Sequence, residues 1–375
     1  MSLPVPVTPL PEHGFGYGVI GCGWVSPSHA VGARALAGEG VRLVAVADAD
    51  LERARELAER FGSPDVHGDY LELLARDDVD AVSICLPDHL HRDAAVAAAE
   101  AGKHVLCEKP LALDLPEAAE MVAAFDERGL NLGLVMNHRF VPDNMRVHRA
   151  VRDGAIGRIL MAGVVHSSAL TGNDDYSSPW RGRRGRAAGG ILATQAIHFL
   201  DLLLWFAGPV AAVKAWTETL VRTELDYEDT VALALKLASG ALATLVTTNG
   251  TPIMNDLSGT RIELHGSEGY FVLEGDELRD HAVRAGYDLP DIDLPPPPAE
   301  ADALFGLGHI YEIAEFVRSI REGTAPPVPA VDAAHLMAVL SAAYSSARED
   351  RELPVLAFSD AYSASSAPRR TEAHV

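Results

Sequence analysis

Cysteine is scarce in this chain of 375 residues, with Cys22, Cys85 and Cys107 the only three. An odd, sparse set cannot form a disulfide framework and fits a reducing compartment in which all three thiols stay unpaired. Positive charge is short as well: 31 Lys and Arg face 53 Asp and Glu, a formal net charge of -22. That balance argues against nucleic acid and anionic membranes as partners, because phosphate surfaces are bound through accumulated Lys and Arg. Long apolar runs are missing too. The strongest, Phe199 to Ala207, is interrupted by Asp201 and is far too short to span a bilayer. Residues Met1 to Pro11 lack a basic start, a long apolar core and a small-residue cleavage site, so no export signal is visible. The expectation is a cytoplasmic protein. No internal repeat is visible.

Hydrophobic residues make up 48% and charged residues 22%, an ordinary globular balance, and the length suits two domains. From Gly16, short apolar runs alternate with helix-like segments. Tyr17 to Ile20, Val41 to Ala47, Ala81 to Cys85, His104 to Cys107 and Leu132 to Met136 read as buried parallel strands. Leu51 to Phe61, Tyr70 to Arg76, His91 to Ala101 and Pro116 to Arg128, rich in Ala, Leu, Glu and Arg, read as the helices between them. This is the pattern of a Rossmann, doubly wound α/β domain.

After Phe140 the texture changes. A helix over Pro142 to Asp153 leads to alternating segments Ile159 to Ser167, Val210 to Glu218, Thr230 to Lys236, Ala241 to Thr248 and Arg261 to His265. These predict a large, mostly antiparallel open sheet, and helices return at Ile310 to Arg321 and Ala333 to Arg348. The expected division is an extension over 1–13, the dinucleotide-binding domain over 14–138, an α+β substrate and oligomerisation domain over 139–358, and a polar, disordered tail over 359–375.

Gly21-Cys22-Gly23-Trp24-Val25-Ser26 follows the first strand and opens a helix. The two glycines permit a tight turn and close approach of a pyrophosphate to the helix N-terminus, with Trp24 and Val25 beside it. Ser26 replaces the third glycine of the usual fingerprint, which predicts slightly looser helix-strand packing. Asp48 ends the second strand, where a carboxylate accepts hydrogen bonds from the adenosine ribose and repels a 2′-phosphate. NAD is therefore expected over NADP. His89 and His91 form a short pair, but no Cys or acidic cluster completes it, and no metal is expected there.

The segment ending Cys107-Glu108-Lys109-Pro110 resembles the signature of the glucose-fructose oxidoreductase, inositol dehydrogenase and rhizopine-catabolism (Gfo/Idh/MocA) family. Several later segments resemble the same family in the same order, from about Gly16 to Val355. Leu86-Pro87-Asp88-His89-Leu90-His91 matches a loop lying along the cofactor, with Asp88 where asparagine is usual. Asn137-His138-Arg139-Phe140-Val141-Pro142 matches the crossover into the second domain. Trp180-Arg181-Gly182 and Gly189 to Asp201 match the substrate-domain signature.

The resemblance implies an NAD-dependent dehydrogenase acting on a secondary hydroxyl of a sugar or cyclitol, in a homodimer or homotetramer joined through the second-domain sheet. It implies that Leu86, Pro87, His91, Glu108, Lys109 and Asn137 line the cofactor, and that Arg139, Trp180, Arg181, Thr194, Gln195 and His198 meet the substrate. Many members carry aspartate four residues before the histidine, completing a Lys-Asp-His set; here that position is Thr194. Threonine hydrogen-bonds but carries no charge, so catalysis is expected to rest on Lys109 and His198, with Thr194 as an auxiliary on the same helical face. For Arg181, contact with an anionic sugar and a solvated Arg-Gly loop stand as equal alternatives; for Arg183, Arg184 and Arg186 the solvated loop is expected. Two rival functions remain: a redox-neutral enzyme that retains its NAD, and a nucleotide- and sugar-sensing regulator on the same scaffold.

Overall fold

The computed structural model describes residues 14–62, 65–169, 180–251, 259–296 and 307–356. The proposed extension over 1–13 and tail over 359–375 lie outside the described residues.

Strands β1 (Phe15–Ile20), β2 (Val41–Ala47), β3 (Asp65–His67), β4 (Ala81–Ile84), β5 (His104–Cys107) and β6 (Leu132–Leu134) form a sheet in the order β3-β2-β1-β4-β5-β6. Every pair is parallel. The central strands are buried along their length because α1 (Ser26–Ala35), α2 (Leu51–Phe61), α3 (Tyr70–Leu74), α4 (His91–Glu100) and α5 (Leu115–Asp126) connect them. Local chemistry sets the helix starts: Asp50, Asp69 and Asp114 cap α2, α3 and α5 by accepting backbone N–H groups of the first turn. The strand order reverses between β1 and β4, which opens the ligand crevice at the C-terminal ends of these strands.

The second half comprises α6 (Pro142–Arg152), β7 (Ile159–Ala169), α7 (Ile191–Thr194), α8 (Ala196–Ala207), β8 (Val210–Glu218), β9 (Thr230–Leu237), β10 (Leu242–Thr251), β11 (Arg261–Gly266), β12 (Tyr270–Glu274), β13 (Glu277–Ala282), α9 (Gly308–Glu322), α10 (Ala330–Glu349) and β14 (Leu353–Pro354). Its sheet runs β13-β12-β11-β7-β10-β9-β8-β14 and is antiparallel except that β7 and β10 run parallel. The crossover through α8 and the β8-β9-β10 meander returns the chain beside β7 in the same direction. Inward residues Val231, Leu233, Leu235, Ala243 and Leu245 are buried in a core shared with α7, α8 and α10, while the alternate residues face outward.

Helix α9 returns to the first sheet. Ile310, Ile313, Phe316 and Val317 join Phe15, Tyr17, Val19 and Ala30 in one core, and Gly32 of α1 lets α9 come so close that a Cβ there would meet Ile313 at 2.5 Å. Helix α9 thus locks against α1, directly behind the crevice.

Candidate active site

The dinucleotide loop is built on glycine geometry. Gly21 has φ +91°, and a Cβ on it would lie 2.5 Å from the Cys85 carbonyl oxygen, so only glycine fits. A Cβ on Gly23 would meet nothing within 4 Å. No side chain caps α1. Open space before an uncapped helix N-terminus fits the pyrophosphate of a nicotinamide dinucleotide, and Trp24 (exposed), Val25, Leu86 and Pro87 (partly exposed) border it. Ser26 does not loosen the packing as expected: it is fully buried, and its hydroxyl donates to the Gly23 carbonyl at 2.7 Å.

Asp48 has a structural task besides the expected one. Its carboxylate accepts the Cys22 N–H at 2.7 Å and the Asp50 N–H at 2.8 Å, bracing the glycine turn against the second strand. Each oxygen keeps a further lone pair for a ribose hydroxyl.

Lys109 follows β5 across a cis peptide bond to Pro110. Its Nζ donates to the main-chain oxygen of Thr194 at 2.7 Å, which brings the end of the first sheet against the second half of the chain. Burial, reinforced by Arg181, lowers the Lys109 ammonium from its ordinary range, against the pull of Glu108 and Asp88.

Thr194 and His198 do not share one helix, contrary to the sequence expectation. The helix breaks at Gln195, with φ -122° and ψ -52°, so α7 ends at Thr194 and α8 starts afresh at Ala196. The Thr194 hydroxyl donates to the Gly190 carbonyl at 2.8 Å; its backbone oxygen is what meets Lys109. Gln195 accepts a hydrogen bond from Ser168. His198 is held well below the ordinary histidine range, chiefly by burial and then by the charges of Lys109 and His138. Its Nδ1 is buried and makes no hydrogen bond among the described residues. Burial and the neighbouring ammonium keep this imidazole neutral, with one ring nitrogen unprotonated, and also weaken it as a base.

Two expected site residues are committed elsewhere. Arg139 is buried, and its guanidinium is taken by Asp201 at 2.6 and 2.7 Å and by Asp332 at 3.2 Å, which removes it from substrate contact. His91 is fully buried, with Nδ1 2.8 Å from the Pro110 oxygen and Nε2 2.8 Å from the Leu86 oxygen. Two carbonyl acceptors call for two N–H donors, hence a cationic ring. Burial opposes that charge, but Cys107, Asp88 and the Leu86 carbonyl raise the imidazole to about 10. His91 therefore ties the β4 loop to Pro110 and does not face the cofactor.

Glu108 also departs from a cofactor-lining position. It is buried against His29 and His309, 3.1 and 3.6 Å from its Oε1. These three are the one His, Cys, Asp or Glu group among the described residues whose donor atoms, within 4.8 Å of one another, suit a metal ion. Sequence spacing had no means of joining residues 29, 108 and 309.

Asp88 is buried and accepts the Ala188 N–H at 3.1 Å, docking the 180–188 segment onto the first domain. Arg181 stacks over Trp180 at 5.0 Å, and burial lowers its guanidinium while Asp88 and Glu108 raise it. Arg181 is partly buried, whereas Arg183, Arg184 and Arg186 are exposed, as expected. Asn137 is partly exposed at the crossover turn.

Sequence reasoning assigned no role to His138 and Asp276. His138 Nδ1 lies 2.9 Å from Asp276 Oδ1, and its ring lies 4.9 Å from that of His198. The position of His138 between Asn137 and Arg139 was visible, but its partner on the β12-β13 turn was not.

The chain matches two family models: the oxidoreductase family with an NAD-binding Rossmann fold over residues 15–136, and the GFO/IDH/MocA C-terminal domain over residues 144–272. It is 31% identical to D-apiose dehydrogenase of Paraburkholderia graminis over 338 residues, covering 89% of this chain and 88% of that protein. It is 28% identical to levoglucosan dehydrogenase of Pseudarthrobacter phenanthrenivorans over 352 residues, covering 82% and 89%. A solved structure of levoglucosan dehydrogenase in complex with NADH and levoglucosan superposes with a TM-score of 0.81 at 26% identity, covering 91% of this chain and 99% of that one. Glycine loop, Glu-Lys-Pro segment and paired sheets thus coincide with one lineage, and the chain belongs to the GFO/IDH/MocA family of NAD-binding oxidoreductases.

Proposed function

We propose that this protein is an NAD-dependent dehydrogenase that oxidises, or reversibly reduces, a secondary hydroxyl of a sugar, sugar derivative or cyclitol. The observation that supports the reading is the contact between Lys109 Nζ and the Thr194 oxygen, four residues before His198, whose imidazole feels the Lys109 charge.

When bound, the nicotinamide supplies the acceptor for the hydride leaving the carbinol carbon. The remaining proton belongs to the hydroxyl, and His198, whose buried Nδ1 has no hydrogen-bond partner among the described residues, is the group that takes it. Lys109 donates to the same oxygen and stabilises its developing negative charge. Thr194 contributes its carbonyl, which aims the Lys109 ammonium. Arg181, Trp180 and Gln195 orient the ring, with Arg181 favouring a substrate that bears negative charge. The names of the relatives, dehydrogenases of D-apiose and levoglucosan, support a carbohydrate substrate.

The test is NADH formation by purified protein with NAD and a panel of neutral sugars, inositols, uronic acids and sugar phosphates. Turnover with at least one member is expected, and turnover lowered by orders of magnitude in Lys109→Met. Intact NAD binding with no turnover across the panel would favour the sensing role instead.

The outer face of the second sheet supports assembly as a homodimer or homotetramer. Met161, Val165, Trp216, Leu242 and Val246 are 45% to 59% exposed there, and Met161 pairs with Leu242 and Val165 with Val246 across β7 and β10. A contiguous apolar stripe of this kind is a contact surface for another chain. Free, buried Cys22, Cys85 and Cys107 support a cytoplasmic location, and no helix among the described residues is long and apolar enough to cross a membrane.

A further inference from the structure

Three buried side chains from separate parts of the chain meet in the interior: His29 on α1, Glu108 directly after β5, and His309 at the start of α9. They are 0%, 6% and 6% exposed. One donor atom from each lies within 4.8 Å of the other two. His29 Nε2 stands 3.1 Å from Glu108 Oε1, and His309 Nε2 stands 3.6 Å from the same oxygen.

A proton satisfies only part of this group. It can bridge His29 and Glu108, but 3.6 Å is too long for a hydrogen bond from His309. The other nitrogen of His309, Nδ1, is buried without a hydrogen-bond partner among the described residues. A buried imidazole left in that state is costly, and it points to a group that would engage it.

A zinc ion would engage all three residues. Zinc holds nitrogen and oxygen donors at about 2.0–2.1 Å in a tetrahedron, which sets neighbouring donors about 3.3–3.4 Å apart. The two measured separations, 3.1 and 3.6 Å, fall on either side of that edge. Two imidazoles on one tetrahedral ion have ring centres about 5 Å apart. The rings of His29 and His309 are 5.5 Å apart and inclined at 63°.

Two of the ligands are also held from behind, as metal ligands usually are. His29 Nδ1 lies 2.7 Å from Ser83 Oγ, which lies 2.7 Å from the Tyr17 hydroxyl. The Ser83 oxygen has lone pairs for both neighbours, so His29 can carry its hydrogen on Nδ1 and offer Nε2 to an ion. Glu108 Oε2 accepts the Lys109 backbone N–H at 3.1 Å, which leaves Oε1 to face the histidines.

We propose that His29, Glu108 and His309 form a structural zinc site, with water in the fourth position. Zinc takes the place of the proton between His29 Nε2 and Glu108 Oε1, and that proton leaves to solvent. The ion fastens α9, from the far end of the chain, to α1 and the end of β5 in the dinucleotide-binding domain. Its ligands are too buried to meet a sugar, so the site goes beyond the dehydrogenase reading and does not depend on it.

The test measures metal directly and needs no substrate. Tag-free protein equilibrated with zinc and then desalted is expected to hold one equivalent by mass spectrometry. A hundredfold excess of zinc over its dissociation constant should raise the melting temperature by about 5 °C. Cobalt(II) in its place should give the intense visible bands of a tetrahedral site. His309→Phe keeps the ring volume and loses the donor, so it should bind NAD but no zinc. Glu108→Gln removes the anionic ligand and should weaken zinc binding at least about tenfold.

Parent protein that binds NAD yet holds no zinc would overturn the proposal. So would a full equivalent of zinc retained by His309→Phe. The cobalt spectrum is read on the parent protein and decides the question even where a variant fails to fold: weak octahedral bands, or none, would also overturn it.

Discussion

Arg139 and Asp201 meet through two hydrogen bonds of 2.6 and 2.7 Å with both side chains buried, joining the crossover after β6 to the middle of α8. Removing one partner of such a pair strands the other charge away from water. Asp201→Ala is therefore expected to destabilise the protein by about 3–5 kcal/mol. Urea denaturation checks this, and the double variant Arg139→Met with Asp201→Leu should recover much of the loss. Equal stability of Asp201→Ala and the parent protein would show that the pair is not an anchor.

The contact between Lys109 and Thr194 uses a backbone oxygen, so the Thr194 side chain is dispensable to it. Thr194→Ala should keep turnover within roughly a few-fold of the parent, while Lys109→Met should lower it by about 10²–10⁴. Steady-state kinetics with NAD saturating distinguishes the two. Comparable losses in both variants would return the threonine hydroxyl to the catalytic set.

Stability should fall on mild acidification. Burial lowers His104, His148 and His166 to about 4 in the folded protein, whereas an unfolded histidine titrates near 6.5. Between these values the unfolded chain binds more protons. These three sites therefore leave stability intact above about 6.5 and subtract from it as pH falls toward about 4, with no further loss from them below. Melting temperatures measured from pH 7 to pH 4 test the direction, and His166→Gln should flatten the decline.

Two glycines three atoms of backbone apart should behave differently. Gly21→Ala places a Cβ against the Cys85 oxygen at positive φ, and should lower expression and melting temperature. Gly23→Ala meets only open space and should fold normally while weakening NAD binding, because its methyl group enters the space offered to the pyrophosphate. Calorimetry with NAD, alongside melting curves, separates folding from binding.

Val165 and Val246 are register partners on the outer face of the second sheet, 57% and 45% exposed. Replacing both by Glu puts like charges side by side on that face. The double variant should sediment as a smaller species than the parent, with its fold retained. An unchanged sedimentation coefficient would move the assembly surface elsewhere.

The sheet of the first domain was legible because parallel buried strands announce themselves as short apolar runs. Val41–Ala47 and His104–Cys107 were read to their final residues. Strand β13, Glu-Leu-Arg-Asp-His-Ala, was missed because an exposed edge strand needs no alternation. Strands β3 and β14, of three and two residues, are too short to carry a period. The helix break at Gln195 was invisible because Ile191 to Ala207 contains neither Pro nor Gly.

Candidate site residues divided along the same line. Lys109 and His198 stood out because their motifs are local, and Lys109 meets the main chain at Thr194, four residues before His198. Arg139, His91 and Glu108 stood in equally recognisable motifs, yet their partners lie 19 to 201 residues away: Pro110 for His91, Asp201 for Arg139, and His309 for Glu108.

By itself, the order of residues determined which segments become strands and helices, where the glycine turn falls, and which ionisable groups stand at strand ends, since each depends on neighbours along the chain. Whether a given cation or imidazole faces the crevice or an internal partner was decided by tertiary structure alone. That choice depends on the desolvation of each group and on the charge that packing sets opposite it, and those charges come from distant parts of the chain.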